Sequence, residues 1–87
     1  MQKLGELRQT NGQTMSNSRM ARLTDSIKTE GVKDPLVVTQ HEGATYILDG
    51  NNRAIAAYKA GLNEVPVIEK QLPWSGFKSP GDLTFEP

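Results

Sequence analysis

Residues 46–58 decide the fold, and they read Tyr-Ile-Leu-Asp-Gly-Asn-Asn-Arg-Ala-Ile-Ala-Ala-Tyr. The stretch begins with β-branched and apolar residues that favour a buried strand, and residues 49–52 are turn formers. Residues 53–60 are rich in alanine and predict a helix, which Gly61 ends. A strand, a glycine turn and a helix start together place free N–H groups and the positive end of the helix dipole beside Gly50. Such an arrangement suits an anion.

The side chains around this turn suit a phosphate group. Gly50 lets the backbone come close to a phosphate, and Arg53 adds a forked cationic donor. Asn51 and Asn52 lie between them. Asp49 fits three roles: general base, metal ligand or helix cap. The competing interpretation is structural, with Asp49 capping the helix and Arg53 forming a surface ion pair.

The remaining patterns predict one further helix and a small sheet. Ser16 or Asn17 caps the start of a helix, and Gly31 ends it. Short apolar runs predict strands at 36–38, 45–48 and 65–68, with a turn at 41–43. The polar segment before the first helix is expected to hold at most a short strand or turn. The order helix, strand, strand, helix, strand predicts an α+β fold, a small mixed β-sheet flanked by helices.

Length and composition limit the function. We expect residues 1–87 to form a single domain, with a Pro/Gly-rich tail (71–87) packed on the core through its apolar side chains. The chain has no cysteine and one histidine, which excludes a thiol nucleophile and a metal site built on several imidazoles. We assign no residue as a metal ligand at this stage. We predict no membrane span, because no apolar run approaches roughly 20 residues. Tyr58 and the other aromatic side chains are expected in the core.

Charge is unevenly distributed along a neutral chain. Ten Lys+Arg balance ten Asp+Glu, which disfavours a long basic track along DNA. Residues 1–33 nevertheless carry a charge of +3 and residues 34–87 a charge of −3. Arg19, Arg22 and Ser26 are three and four positions apart and share one face of the first helix. This face is either a solvated basic surface or part of an anion site.

Collinear motifs between residues 16 and 69 resemble the ParB/sulfiredoxin superfamily. They are Arg19-x-x-x-Leu23-x-x-Ser26-Ile27-x-x-x-Gly31-x-x-x-Pro35-Leu36-x-Val38, Tyr46-Ile-Leu-Asp-Gly-Asn-Asn-Arg-Ala54 and Ala57-x-x-Ala60-Gly61-Leu62-x-x-Val65-Pro66-Val67. In that superfamily the Gly-x-x-Arg loop and the following helix start bind nucleotide phosphates. The resemblance implies one site for a phosphate or a nucleotide, and Mg²⁺ would accompany a nucleotide there. The residues of this site would be Arg19, Ser26, Gly50, Asn51, Asn52 and Arg53, with Arg22 nearby.

Positions where this sequence differs from known branches of the superfamily reduce the range of functions that we expect. Sulfiredoxins carry a reactive cysteine where this chain has Asn51, so their reductase chemistry is not expected. Chromosome-partitioning ParB proteins carry a more basic turn and a helix-turn-helix domain, whereas only a tail follows here, so centromere binding is not expected. The Asp-Gly-x-x-Arg form looks most like the ParB-like C-terminal domains of contact-dependent growth-inhibition and Rhs-type toxins.

Three functions follow from this resemblance. The favoured one is a bacterial toxin effector that acts on a phosphoester, with Asp49 positioning a water or metal and Arg53 stabilising charge on phosphorus. It would be secreted as the C-terminal part of a larger protein, act in the target-cell cytoplasm and be neutralised by a cognate immunity protein. The first alternative is a small-molecule kinase or nucleotide hydrolase of the same fold. The second is a non-catalytic, cytoplasmic ParB-like nucleotide-binding regulator from a phage or plasmid.

Overall fold

The computed structural model describes residues 1–74, 76–78 and 80–83. The regular elements are, in chain order, β1 (Gln2–Lys3), a 3₁₀ turn (Leu4–Glu6), β2 (Leu7–Arg8), α1 (Asn17–Glu30), β3 (Leu36–His41), β4 (Ala44–Asp49), α2 (Asn51–Lys59), β5 (Glu64–Val65), β6 (Val67–Glu69) and a second 3₁₀ turn (Pro80–Leu83). The two helices are the longest elements, and α1 packs against α2.

A four-stranded mixed sheet has the strand order β2-β4-β3-β6. Its centre is the antiparallel β3–β4 hairpin, while β2 runs parallel to β4 and β6 runs parallel to β3. β1 and β5 form a separate antiparallel pair. This architecture confirms the predicted α+β fold with a small mixed sheet and helices.

One hydrophobic core joins both helices to the sheets. Its buried side chains are Met20, Ile27, Leu36, Val38, Ile47, Ala54, Ala56, Ala57 and Val65. Ala56 and Ala57 are fully buried in α2, and their small side chains let the helix backbone approach its neighbours closely. Burial of this alanine face, more than intrinsic helix propensity, holds so short a helix in place.

Both ends of α1 lie where the sequence predicts them. The hydroxyl of Ser16 accepts a hydrogen bond from the Arg19 N–H at 3.3 Å, and the helix ends at Gly31 with φ of 76°. α2, in contrast, begins at Asn51 rather than at Arg53, because Gly50 is its N-cap residue. The glycine turn is therefore two residues shorter than the sequence indicated.

The third predicted strand is divided by a proline. Pro66 has no N–H to donate to a ladder, and the two sides of it, β5 and β6, belong to different sheets. His41, predicted in a turn, is the last residue of β3, and the turn consists of Glu42 and Gly43, both with positive φ. The N-terminal segment contributes two strands, more than the single short strand or turn expected of it.

Tyr58 corrects the expectation that the aromatic residues lie in the core, because its side chain is 78% exposed. It follows the buried Ala57 by one residue, about 100° around the helix, so it points away from the buried face.

In the tail, Leu83 is 1% exposed, whereas Phe85 lies outside the described residues. Packing of the whole tail on the core stays a prediction. Within the described ranges, no helix has the length and apolar character needed to cross a bilayer.

Candidate functional site

A cleft of about 460 Å³ opens where β4 ends and α2 begins. Its lining residues are Asn11, Gly12, Thr14, Met15, Leu23, Asp34 and residues 48–53. The five residues predicted around the turn, from Asp49 to Arg53, therefore line one cavity. The walls opposite them come from the loop before α1 and from α1 itself.

Gly50 shapes the floor of this cleft. Its φ of 104° is a left-handed conformation that favours glycine. A Cβ atom there would lie 2.8 Å from Cγ of Leu36 and 2.9 Å from Nη2 of Arg53. Gly50 also has no side chain with which to cap α2, and the first helical bond is made by the N–H of Ala54 to the Gly50 carbonyl at 2.8 Å. By helix geometry the N–H groups of residues 51–53 have no acceptor within the helix, so they are free for water or a ligand.

Arg53 is the cation of the cleft, and its side chain is 28% exposed. Its Nη2 atom donates to the Pro35 carbonyl at 3.3 Å and lies 3.8 Å from Oδ2 of Asp49. Its Nε is the one buried side-chain nitrogen or oxygen, among the described residues, that lacks a hydrogen-bond partner. A guanidinium has five N–H donors, so Arg53 keeps donors for a further acceptor.

Asn51 and Asn52 direct their side chains to the loop before α1. Oδ1 of Asn51 accepts from the Thr10 N–H at 3.0 Å, and Nδ2 donates to the Thr10 hydroxyl at 3.2 Å. Asn52 makes the same pair of bonds with the N–H and hydroxyl of Thr14, at 3.1 and 2.7 Å. Both asparagines therefore hold the opposite wall, and their predicted part in phosphate binding rests on their backbone N–H groups.

The predicted residues of α1 reach the cleft unequally. Ser26 lines a smaller cavity of about 170 Å³ together with Arg53. Arg53, Asp34 and Leu23 line both cavities, so the two are neighbours. Arg19 and Arg22 are exposed and line neither. Their contribution to binding stays a prediction.

The loop wall of the cleft was not predicted. Thr10 and Thr14 lie about 40 positions from the asparagines they bind, and the stretch around Asn11 and Gly12 has only the composition of an ordinary turn. No local signal in a single sequence links such a turn to a distant helix start.

The acidic residues of the cleft are Asp34 and Asp49. Together with Arg53 they give the lining a formal charge of −1. No group of three or more potential metal ligands occurs in the part of the chain that the structure describes. A divalent ion at this cleft would therefore need further oxygen ligands, from water or from a bound phosphate.

A larger cavity lies elsewhere. A groove of about 520 Å³ runs between the N-terminal segment and α2, and its apolar lining includes Leu4, Leu7, Ile55 and Tyr58. It contains no charged residue. Judged by volume alone, this groove would be the candidate functional site. We select the smaller cleft instead, because it combines free helix N–H groups with an arginine, Arg53, that has donors without a partner.

The fold is that of the ParB/sulfiredoxin superfamily. The model of one family in it, described as the ParB N-terminal domain, matches residues 1–75, and the chain belongs to that family.

Two curated relatives are probable chromosome-partitioning ParB proteins. The protein from Xylella fastidiosa strain Temecula1 is 42% identical over 59 residues, which are 67% of this chain and 19% of the relative. The chromosome 2 protein from Deinococcus radiodurans is 44% identical over 54 residues, 62% of this chain and 18% of the relative. The chain thus spans about a fifth of the length of the curated relatives it matches.

Two solved structures share the fold. The C-terminally truncated chromosome-partitioning protein ParB from Caulobacter crescentus, complexed with CTP-γ-S, matches with a TM-score of 0.74 and 27% identity over 82% of this chain and 43% of that one. Sulfiredoxin from Arabidopsis thaliana matches with a TM-score of 0.69 and 24% identity over 80% of this chain and 81% of that one. The superfamily resemblance is confirmed, while these matches give no support to the toxin subtype.

Proposed function

We propose that this chain is a non-catalytic, ParB-like nucleotide-binding domain whose ligand is CTP. The carrying observation is the cleft at the start of α2, where free N–H groups, a close-packed glycine and an arginine with spare donors converge. The Caulobacter structure, which shares this fold at 27% identity, was solved with CTP-γ-S. That relative supports a cytidine nucleotide as the first ligand to test.

The phosphates would occupy the α2 end of the cleft. There the N–H groups of residues 51–53 and the guanidinium of Arg53 offer several donors in a small volume. Because the lining carries a formal charge of −1, a polyphosphate would bind as its Mg²⁺ complex. Asp34 and Asp49 are the residues available to contact such an ion.

We prefer a nucleotide to DNA as the ligand of this site. The chain has no net charge, whereas binding along a duplex draws on many lysines and arginines that contact phosphates. The cleft of about 460 Å³ is also of a size that encloses a small molecule. A cytoplasmic regulator would use such a site to sense a nucleotide.

The toxin interpretation is the more specific alternative. It requires secretion within a larger protein, an immunity partner, and catalysis by Asp49 and Arg53. The relatives named above are chromosome-partitioning proteins, which favours the regulator. Asp49 is 61% exposed and its carboxylate lies 3.8 Å from Arg53, a loose ion pair that singles out no general base.

Calorimetric titration with CTP and Mg²⁺ tests the proposal. We expect the wild-type chain to bind CTP and Arg53→Ala to bind it at least about tenfold more weakly, because a charge-assisted donor is lost. Arg53→Lys keeps the charge without the fork and should fall between them. Lys59→Ala, which removes an exposed positive charge from the other end of α2, is the matched control.

Circular dichroism of each variant verifies that it is folded before titration. Equal affinity of wild type and Arg53→Ala for CTP, or no measurable binding by the wild type, would overturn the proposal. Chromatography of the nucleotide after prolonged incubation with Mg²⁺ tests the non-catalytic part. CDP or CMP released by wild type but not by Asp49→Ala would instead favour the enzyme alternative.

A further inference from the structure

The loop before α1 is tied to the first turn of α2 at two successive positions. We call residues 10–15 the strap. At its beginning Thr10 is bound by Asn51, and near its end Thr14 is bound by Asn52. Each asparagine accepts from the threonine N–H and donates to the threonine hydroxyl, so each pair forms a two-bond clamp.

The two clamps differ in their surroundings. The inner clamp is buried, with Thr10 5% and Asn51 9% exposed, and the Thr10 hydroxyl also donates to the carbonyl of Ile47. The outer clamp between Thr14 and Asn52 is exposed to solvent. Buried hydrogen bonds are costly to break, whereas exposed ones exchange with water. The inner clamp is therefore a fixed anchor, and the outer clamp is the adjustable one.

The segment between the clamps is part of the nucleotide cleft. Asn11 and Gly12 line the cleft, as do Thr14 and Met15, and Met15 also packs against the hydrophobic core. Asn11 and Gly12 are exposed or partly exposed and have no place in the core cluster. Their position over the cleft depends on the clamps at either side.

We propose that Asn52 is a positioning residue for the nucleotide, acting through Thr14 by holding the strap as one wall of the cleft. The inference rests on the proposed nucleotide site. Asn52 uses its carbonyl oxygen and one N–H on Thr14, which points to a role in the wall rather than in phosphate contact. Without the outer clamp the strap must be ordered when the ligand binds, and that ordering lowers affinity.

A double-mutant cycle on the outer clamp tests this role. Thr14→Val removes the hydroxyl that Asn52 donates to while keeping the shape, and Asn52→Ala removes the other partner. We expect Asn52→Ala, which breaks both bonds, to weaken CTP binding about fivefold. Thr14→Val keeps the bond from the Thr14 N–H to Asn52 and should weaken binding less, and the double variant should bind as Asn52→Ala does. Thr14→Ser should restore wild-type affinity. Thr29→Val, which removes an exposed hydroxyl bond within α1, is the matched control.

Amide hydrogen exchange of the free protein supplies a readout that ligand contact would not change. Exchange at residues 11–14 should accelerate in Thr14→Val and Asn52→Ala while the core of α2 stays protected. Loss of affinity in Asn52→Ala without faster exchange at residues 11–14 would show a direct ligand contact and overturn the inference. Additive losses, or no loss in either variant, would also overturn it. In these cases wild-type binding of CTP would leave the proposed function standing, whereas no wild-type binding would overturn both.

Discussion

The two helices begin in opposite ways. At the start of α1, Ser16 has an extended backbone and its hydroxyl accepts from the N–H of Arg19, so a protein side chain satisfies one free donor. At the start of α2, Gly50 has a left-handed backbone and no side chain to offer. The side chains of Asn51 and Asn52, the first two residues of α2, bind the strap.

At the start of α1 a side chain of the protein accepts a hydrogen bond from a free backbone N–H, whereas at the start of α2 no side chain does so. We call the start of α2 open for this reason. A cap such as Ser16 stabilises its own helix by about 1 kcal/mol. α2 lacks that contribution, and burial of Ala54, Ala56 and Ala57 holds it in place. An open start beside Arg53, at the edge of a cleft, is available to an anionic ligand.

Gly50→Ala should have the largest effect on stability. The left-handed φ is unfavourable for alanine, and its Cβ would overlap Leu36 and Arg53. We expect a loss of about 2–4 kcal/mol in the free energy of unfolding, measured by urea denaturation. Gly5→Ala is the control, since nothing lies within 4 Å of a Cβ there. Equal losses in the two variants would contradict the idea that the open helix start requires glycine.

Asn51→Ala should have the next largest effect. It leaves the buried N–H of Thr10 without an acceptor and removes the donor to the Thr10 hydroxyl. The expected loss is about 2 kcal/mol in the free energy of unfolding, again from urea denaturation. Asn52→Ala breaks the same pattern of bonds at an exposed site and should cost less than about 1 kcal/mol. A larger loss for Asn52→Ala would reverse the assignment of fixed and adjustable clamps.

Ser16→Ala should have the smallest effect and should separate stability from binding. Removing the cap is expected to cost about 1 kcal/mol of unfolding free energy. CTP affinity should stay at the wild-type value, because Ser16 does not line the cleft. Thermal unfolding and calorimetry on the same samples measure both. A fall in affinity without a fall in stability would mean that the start of α1 also belongs to the binding site.

Prediction from sequence succeeds where the signal is local. The cap at Ser16, the left-handed end at Gly31 and the glycine turn at Gly50 each depend on the conformational preference of one residue and its neighbours. Short apolar runs sufficed to predict the central hairpin, and the alanine content of residues 53–60 sufficed to predict α2. The motif around the turn carried the superfamily resemblance, and the family match agrees with it.

Prediction fails where two distant segments meet. The composition of the strap does not indicate that Thr10 and Thr14 bind consecutive residues of α2, and the spacing of Arg19 and Arg22 does not show that they lie outside the cleft. Tyr58 was expected in the core on the grounds of hydrophobicity, yet its position on α2 exposes it.

The sequence by itself determined the types of the main elements and the glycine turn before α2, and it predicted an anion site at residues 50–53. These follow from backbone preferences and residue chemistry that act over a few positions. The tertiary structure decided which segment forms the wall opposite that turn. In the folded chain Nε of Arg53 has no hydrogen-bond partner, and the side chains of Asn51 and Asn52 bind the strap. Only packing brings residues about 40 positions apart to hydrogen-bonding distance, so only the folded chain shows that the asparagines build the wall of the cleft.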